Sequence, residues 1–329
     1  MEDTRVVRDS LRAAVVGASG IGKHHAKWLA ALGADVVAIV GSSVATAAVT
    51  AQALHDQLGL TAEPYASIEQ MLHHEDPDLV HVCTPPNLHH EHVLQLAGHR
   101  CHLMCEKPLT WDDAKSSATL AAEAREMVTR TQQPGRVTAV NLQYTAAPAP
   151  YYSLCDQLGI PIDPPTTFFM HMDSRREPNV YDVIWRELSP HCLSVMTAFC
   201  GPGKLVSSAI DLVLDERQCR AKFLYQQAAG AAIECEIVVG TVLEGPLTRR
   251  FGVNGVLMDY EGRNDDTGVF RTYLKTGDVE AESHDFMYLS MRQMVLAATG
   301  QADAPQATLA EGLENEEMQL EILAAGRRV

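Results

Sequence analysis

The first stretch equipped for chemistry is Ala13-Ala14-Val15-Val16-Gly17-Ala18-Ser19-Gly20-Ile21-Gly22. A short β-branched run ends at Gly17, which permits a tight turn, and Gly22 lets the helix that follows lie close to the strand. Gly17, Ser19, Gly20, Ile21 and Gly22 would thus form a turn whose backbone N–H groups, with the positive end of a helix, suit the pyrophosphate of a dinucleotide. Ser19 stands where that pattern has its middle glycine. Its Cβ crowds the phosphate, although its hydroxyl can donate to it and Gly20 restores some freedom. A ribose-binding acid is expected about 20 residues further on, yet Ala38-Ile39-Val40-Gly41-Ser42-Ser43 holds neither Asp nor Glu. A 2′-phosphate would meet no repulsion there, and Ser42 and Ser43 can donate to it, so NADP(H) is favoured over NAD(H). No Arg or Lys stands beside them to strengthen the preference.

These residues need a parallel sheet to hold them, and the first ~135 residues alternate strand-like and helix-like segments in the manner that builds one. Arg12–Gly17, Asp35–Gly41, Leu79–Cys83 and Cys101–Cys105 read as strands. Helices are expected over Ile21–Leu32, up to about Leu58, and up to His99. Another is expected from Thr110 as N-cap, with Asp113 completing a capping box, to about Gln133. Residues 1–134 form a dinucleotide-binding domain on this reading, closed by Pro134-Gly135. Residues 135–329 have a different texture. Six strands, Thr166–Met172, Leu205–Leu214, Cys219–Gln227, Ala231–Leu243, Arg249–Tyr260 and Val269–Leu274, follow with few helices between them, which predicts an open, mainly antiparallel sheet. Two helices close the chain, one from near Ser283 to Gly300 and one capped by Thr308 with Glu311. The fold class is α/β, a doubly wound Rossmann-type sheet followed by a second α/β domain.

Leu79–Thr110 is the most informative stretch. It runs from a buried strand through Thr84-Pro85-Pro86 and His89 to Gly98-His99-Arg100-Cys101-His102-Leu103-Met104-Cys105-Glu106-Lys107-Pro108. Together with the glycine turn, it resembles the glucose–fructose oxidoreductase/inositol dehydrogenase (Gfo/Idh/MocA) family of NAD(P)-dependent oxidoreductases. The resemblance covers nearly the whole chain, strongly to Pro108 and more loosely beyond. It implies that Thr84, Pro85, His89, Glu106 and Lys107 belong to the cofactor side, and that Lys107 contacts both the nicotinamide ribose and the reacting hydroxyl or carbonyl. An ammonium group there would stabilise developing alkoxide charge. It also implies a second catalytic element of the form Asp-x-x-x-His, matched in outline by Val183-Ile184-Trp185-Arg186-Glu187-Leu188-Ser189-Pro190-His191. Here Glu187 replaces the aspartate. Ser189 is a good N-cap and Pro190 a good first helical residue. That placement puts His191 in a first turn, where the helix dipole disfavours imidazolium, and leaves Glu187 outside the helix. His191 would accept or return the substrate proton. The segment Val137–Tyr144 resembles the linking strand that lines the substrate side. Asn141 and Gln143 are expected on one face and Leu142 and Tyr144 on the other, with Asn141, Gln143 and Tyr144 as substrate residues. Asp173, Arg175, Arg176 and Arg186 precede His191, and Arg176 is a candidate clamp for a substrate anion.

The implied substrate is polyhydroxylated: a sugar, sugar derivative or cyclitol. Other readings on the same scaffold are a non-enzymatic NAD(P)-binding sensor, an NAD-dependent glycosidase and an imine or tetrapyrrole reductase. The 329 residues carry 26 basic and 42 acidic side chains, a net charge of −16, with no basic run. That argues against nucleic-acid and anionic-membrane partners. The uncharged stretch Val36–Leu54 is interrupted by Gly41, Ser42, Ser43, Thr46 and Thr50, and reads as a strand and helix. With no apolar signal core in the charged N-terminus, a cytoplasmic location is expected. The eight cysteines form no C-x-x-C pair and are read as reduced core residues. His89, His90 and His92 lack the spacing of metal ligands, so no metal is expected. A homodimer or homotetramer is expected through the exposed face of the second sheet.

Overall fold

A computed structural model describes residues 10–177, 181–228 and 230–329. In the first unit, apolar runs give the six strands β1 (Arg12–Val16), β2 (Asp35–Val40), β3 (Glu63–Tyr65), β4 (Leu79–Val82), β5 (His102–Cys105) and β6 (Thr138–Val140). They are parallel, in the order β3-β2-β1-β4-β5-β6. The intervening helices are α1 (Gly22–Ala31), α2 (Val44–Leu58), α3 (Ile68–Glu75), α4 (His89–Ala97) and α5 (Ser117–Thr131). Chain order reverses between β1 and β4, and the carboxyl ends of the strands at such a reversal are where doubly wound sheets bind ligands.

Three expectations change in this unit. The helix expected from Thr110 starts at Ser117, capped by Ser116, whose side chain accepts from the Thr119 N–H. Thr110 is buried instead, its hydroxyl donating to the Leu120 carbonyl at 3.1 Å. The short strand β3 and the helix α3 are additional elements. The domain boundary moves from residue 134 to Asn141, because β6 pairs with β5. Ser290–Leu313 also returns to the first unit, where the Val140 N–H donates to the Ala307 carbonyl at 3.1 Å.

The second unit comprises Leu142–Leu289 and Glu314–Val329. Its strands are β7 (Thr167–Arg175), β8 (Gly203–Leu205), β9 (Asp211–Leu214), β10 (Gln218–Gln227), β11 (Ala232–Val242), β12 (Arg249–Val253), β13 (Val256–Asn264), β14 (Phe270–Thr276), β15 (Val279–His284) and β16 (Gly326–Arg328). The sheet order is β15-β14-β13-β12-β7-β11-β10-β9-β16, with β8 against β10. Pairing is mainly antiparallel, as expected, but β7–β11 and β9–β16 are parallel. The strand expected over Arg249–Tyr260 is a hairpin. Asn254 (φ 52°) and Gly255 (φ 78°) turn it, the left-handed pair that a two-residue hairpin requires. The expected strand Leu205–Leu214 is likewise two short strands, β8 and β9.

Helices α6 (Pro148–Gln157), α7 (Tyr181–Cys200), α8 (Phe286–Ala298) and α9 (Leu309–Ala324) complete the chain. The Thr308–Glu311 capping box is present: the Glu311 N–H donates to the Thr308 hydroxyl at 3.2 Å, and the Thr308 N–H to Glu311 at 2.7 Å. All eight cysteines are free and buried.

The largest correction concerns α7. It does not begin at Pro190 but nine residues earlier, at Tyr181, and runs through the proline. An interior proline costs a helix about 3 kcal/mol, because it removes one N–H and crowds the carbonyl four residues back. Here that carbonyl belongs to Arg186, and the Gln319 side-chain amide of α9 donates to it at 2.9 Å. His191 is therefore the eleventh residue of α7 rather than a first-turn residue, and it lies beyond the reach of the positive helix end.

Candidate active site

In the first unit the glycine turn behaves as its residue types demand. Gly17 has φ +85°, and a Cβ there would lie 2.7 Å from the Thr84 methyl and 2.8 Å from the Thr84 nitrogen. A Cβ on Gly22 would lie 2.5 Å from the Gly17 carbonyl oxygen. These contacts press α1 and the β4 end against the turn. The turn itself stays open: Ser19, Gly20 and Ile21 are exposed, and a Cβ on Gly20 would meet nothing within 4 Å. No side chain caps Ile21 at the head of α1, and the first turn carries no acid. A helix start left in this state fits an anion, so these residues suit a dinucleotide pyrophosphate.

At the end of β2, Gly41 is forced by space. A Cβ would lie 2.9 Å from both the Ala47 nitrogen and the Thr46 hydroxyl, so an acid cannot stand there. Ser43 has a structural task as N-cap of α2, exchanging bonds with Thr46 in a capping box. Ser42 is exposed, 3.3 Å from the same Thr46 hydroxyl. Of the two serines expected to meet a 2′-phosphate, Ser43 is thus already engaged.

Lys107 follows β5, half-buried, and its peptide bond to Pro108 is cis. Beneath it lies a buried polar cluster. Glu106 Oε1 accepts from Asn141 Nδ2 at 2.6 Å and contacts His25 Nε2 at 2.7 Å, and Oε2 accepts the Lys107 N–H at 3.3 Å. His25 Nδ1 lies 2.8 Å from Nδ1 of His81. Burial alone would raise the Glu106 carboxyl, but the His25 bond and charge, the Asn141 bond and the Lys107 charge outweigh it and hold it at about 2. Burial, then the charge of His25, pushes His81 well below the ordinary imidazole range.

This geometry revises three expectations. Glu106 and Asn141 are nearly inaccessible, at 7% and 3% exposure, and bond to each other rather than presenting themselves to cofactor and substrate. His89 is fully buried, with one ring nitrogen 2.6 Å from the Thr84 carbonyl and the other 3.0 Å from that of Pro108. It ties the β4 end to the Lys107–Pro108 turn. Thr84 is fixed by that contact and by His92, 3.0 Å from its hydroxyl, whereas Pro85 is exposed. His25 and His81 were not singled out from the sequence. The signal was a histidine inside the otherwise apolar strand Leu-Val-His-Val.

In the second unit, His191 is half-buried on α7, and its ring centroid lies 4.7 Å from that of Tyr144. The Tyr144 hydroxyl is 3.3 Å from that of Tyr260, whose ring stacks on Phe286 at 5.7 Å. Burial, then the neighbouring Tyr260, pushes the Tyr144 hydroxyl well above its ordinary range, so it stays an O–H donor. The linking strand stops at Val140. Gln143 and Tyr144 lie in a 3-10 turn, Gln143–Ala146, so the expected alternation of faces does not arise. Tyr144 is buried beside His191, and Gln143 is half-buried. Tyr260 is a site neighbour the sequence did not reveal.

Because α7 begins early, Glu187 and His191 stand four residues apart on one helical face, contrary to expectation. Glu187 is ion-paired with Arg176 and approached by Arg186 at 3.6 Å. Arg176, expected to hold a substrate anion, is therefore committed to Glu187. Asp173 accepts from the Thr248 N–H and lies 3.0 Å from His171, while Arg175 donates to the Gly245 carbonyl. Among the described residues no His, Cys, Asp and Glu cluster could hold a metal ion, and no helix is long and apolar enough to cross a membrane.

Residues 11–132 match an oxidoreductase family described as having an NAD-binding Rossmann fold (GFO_IDH_MocA). Over 139 residues the chain is 32% identical to D-glucoside 3-dehydrogenase of Escherichia coli (strain K12), covering 42% of this chain and 36% of that protein. Over 140 residues it is 28% identical to inositol 2-dehydrogenase of Arthrobacter sp. (strain FB24), covering 42% and 40%. The chain thus matches well under half the length of these curated relatives. Across nearly the full length the fold is that of UDP-N-acetylglucosamine 3-dehydrogenase GnnA from Acidithiobacillus ferrooxidans, with a TM-score of 0.72, 17% identity, and 97% and 98% of the two chains covered. It is also that of KijD10, a 3-ketoreductase from Actinomadura kijaniata solved with TDP-benzene and NADP, with a TM-score of 0.68, 17% identity, and 98% and 99% covered.

Proposed function

We propose that this chain, whose residues 11–132 belong to the Gfo/Idh/MocA oxidoreductase family, is an NAD(P)-dependent oxidoreductase acting on a carbinol or carbonyl carbon of a sugar, sugar derivative or cyclitol. The observation that carries this reading is the joint presence, in the first unit, of the open Gly17–Gly22 turn and of Lys107 set on a buried ionised Glu106. When bound, the nicotinamide supplies or accepts the hydride. The turn would hold the pyrophosphate. Lys107 is assigned to the reacting oxygen, where its charge stabilises a developing alkoxide. His191 is assigned the proton, accepting it from the hydroxyl in oxidation and returning it in reduction. Glu187, anchored by Arg176, is assigned to the orientation of His191.

NADP(H) is the proposed preference, supported by the steric exclusion of an acid at Gly41. With no cation on Ser42 or Ser43, the preference should be modest. Titration of the protein with NADPH and NADH, followed by nucleotide fluorescence, should give a roughly three- to tenfold tighter Kd for NADPH, about 1 kcal/mol. Tighter NADH binding would reverse the cofactor assignment, and binding of neither would sink the oxidoreductase reading. A panel of polyols and keto-sugars then identifies the substrate class.

The assembly proposed is a homodimer or homotetramer through the outward face of the second sheet. That face carries cross-strand charge pairs of both signs, Arg220–Glu236 and Arg250–Asp259, each at 2.7 Å, which a second copy can complement. Sedimentation should show an even-numbered oligomer that dissociates on reversing Arg250 and Arg220 to Glu; a monomeric parent rules it out.

A further inference from the structure

Six contacts surround the turn of α7 that carries His191, and four of them come from two side chains of α9. The Gln319 amide nitrogen donates to the Arg186 carbonyl at 2.9 Å, to the Ser189 hydroxyl at 2.9 Å, and lies 3.4 Å from the Trp185 carbonyl. The Asn315 amide donates to the Pro190 carbonyl at 3.0 Å. The Trp185 indole N–H donates back to the Gln319 backbone carbonyl at 3.1 Å. The His191 carbonyl itself accepts from the Ser194 hydroxyl at 2.7 Å. Gln319, Ser189 and Trp185 are fully buried, and Asn315 is 4% exposed.

The arrangement answers a specific defect. Pro190 has no N–H for the Arg186 carbonyl, and a buried carbonyl without a donor is costly. A water molecule or a local 3-10 adjustment would satisfy it loosely. An amide side chain anchored on a second helix satisfies it at one fixed place. Asn315 and Gln319 are four residues apart, one turn of α9, so their side chains share a face and reach the two ends of the interrupted turn. The residue between the two clamped carbonyls and the rest of the helix is His191.

We propose that Gln319 and Asn315 are positioning residues for His191. Gln319 replaces the helix bond that Pro190 removes, and Asn315 holds the proline carbonyl, so the imidazole leaves the backbone at one defined angle. This rests on the reading of His191 as the proton-carrying residue. Its value to that chemistry is geometric, since a displacement of about 1 Å at a reacting group can cost 10²-fold in rate.

The test is a double-mutant cycle on the full chain, because Pro190→Ala restores the missing N–H. Gln319→Leu should lower Tm by about 5 °C with Pro190 present and by less than half as much in the Pro190→Ala background. In parallel, the imidazole NMR signal of His191, assigned by its loss in His191→Asn, should broaden or split in Gln319→Leu and sharpen again in the double variant. Should Gln319→Leu fail to fold, Gln319→Met and Asn315→Ser take its place in both measurements. Equal Tm losses in the two backgrounds, or an unchanged His191 signal, overturn the proposal. Neither measurement uses nucleotide or turnover. If His191→Ala kept full activity, its chemical assignment would fall while the cycle still reported on the clamp.

Discussion

Lys107→Ala lowers kcat by about 10²- to 10³-fold, the loss typical of removing one preorganised group that stabilises oxyanion charge, and leaves NADPH affinity within a few-fold of the parent. The asymmetry follows from how the residue is held. Its backbone N–H donates to Glu106 Oε2, and the Lys107–Pro108 turn is tied through the Pro108 carbonyl to His89. These contacts are made by backbone atoms and by the His89 ring, so truncating the side chain leaves them in place, while Glu106 loses the ammonium charge but keeps the His25 and Asn141 bonds that also hold its carboxyl low. The glycine turn that would bind pyrophosphate lies on different strand ends and is untouched. Arg at this position should rescue little, since a planar fork does not reproduce a compact point charge. Steady-state turnover on the responding polyol or keto-sugar, together with nucleotide titration of the same samples, reads both halves. Full turnover in Lys107→Ala would remove Lys107 from the reaction.

Removing the acid beneath it has a different signature. Glu106→Ala deprives the buried His25 and Asn141 of their acceptor, so stability falls along with turnover. Lys107→Ala should cost turnover alone.

The parallel half of the fold was legible because its strands are continuous apolar runs and some of its helices carry local caps. Arg12–Val16, Asp35–Val40 and the Thr308–Glu311 box lie where periodicity and capping put them. What escaped depends on distant partners. Ser189-Pro190 is a good local helix start, yet α7 passes through it because Gln319, 129 residues later, supplies the missing donor. Asn141 lies in a segment that resembles the linking strand of the substrate side, and only the fold reveals that Glu106 claims it. The Thr110-x-x-Asp113 pattern fits a cap locally, yet Thr110 is buried with its hydroxyl on the Leu120 carbonyl of α5, and the cap is Ser116. In the hairpin between β12 and β13 the signal was present: Asn254-Gly255 is a preferred two-residue turn inside a run read as one strand.

His191→Ala is expected to lower turnover by about 10²- to 10⁴-fold, the usual contribution of a positioned acid–base group, and to change the shape of the pH profile as well as its height. In oxidation the working form is the neutral imidazole, so the rate rises with pH as the ring loses its proton. In reduction the imidazolium works, and the rate falls over the same interval. Both limbs should flatten in the variant. Tyr144 cannot take over as base, because burial and Tyr260 keep its hydroxyl protonated, although it remains a donor 3.3 Å from Tyr260. Glu187→Gln supplies the contrast. Glutamine keeps the length and a hydrogen bond but gives up the charge paired with Arg176, so it should cost no more than about tenfold and leave the pH limbs in place. A residual limb in His191→Ala, or a Glu187→Gln loss as large as that of His191→Ala, would move the proton-carrying role from the imidazole to the carboxylate one helical turn before it.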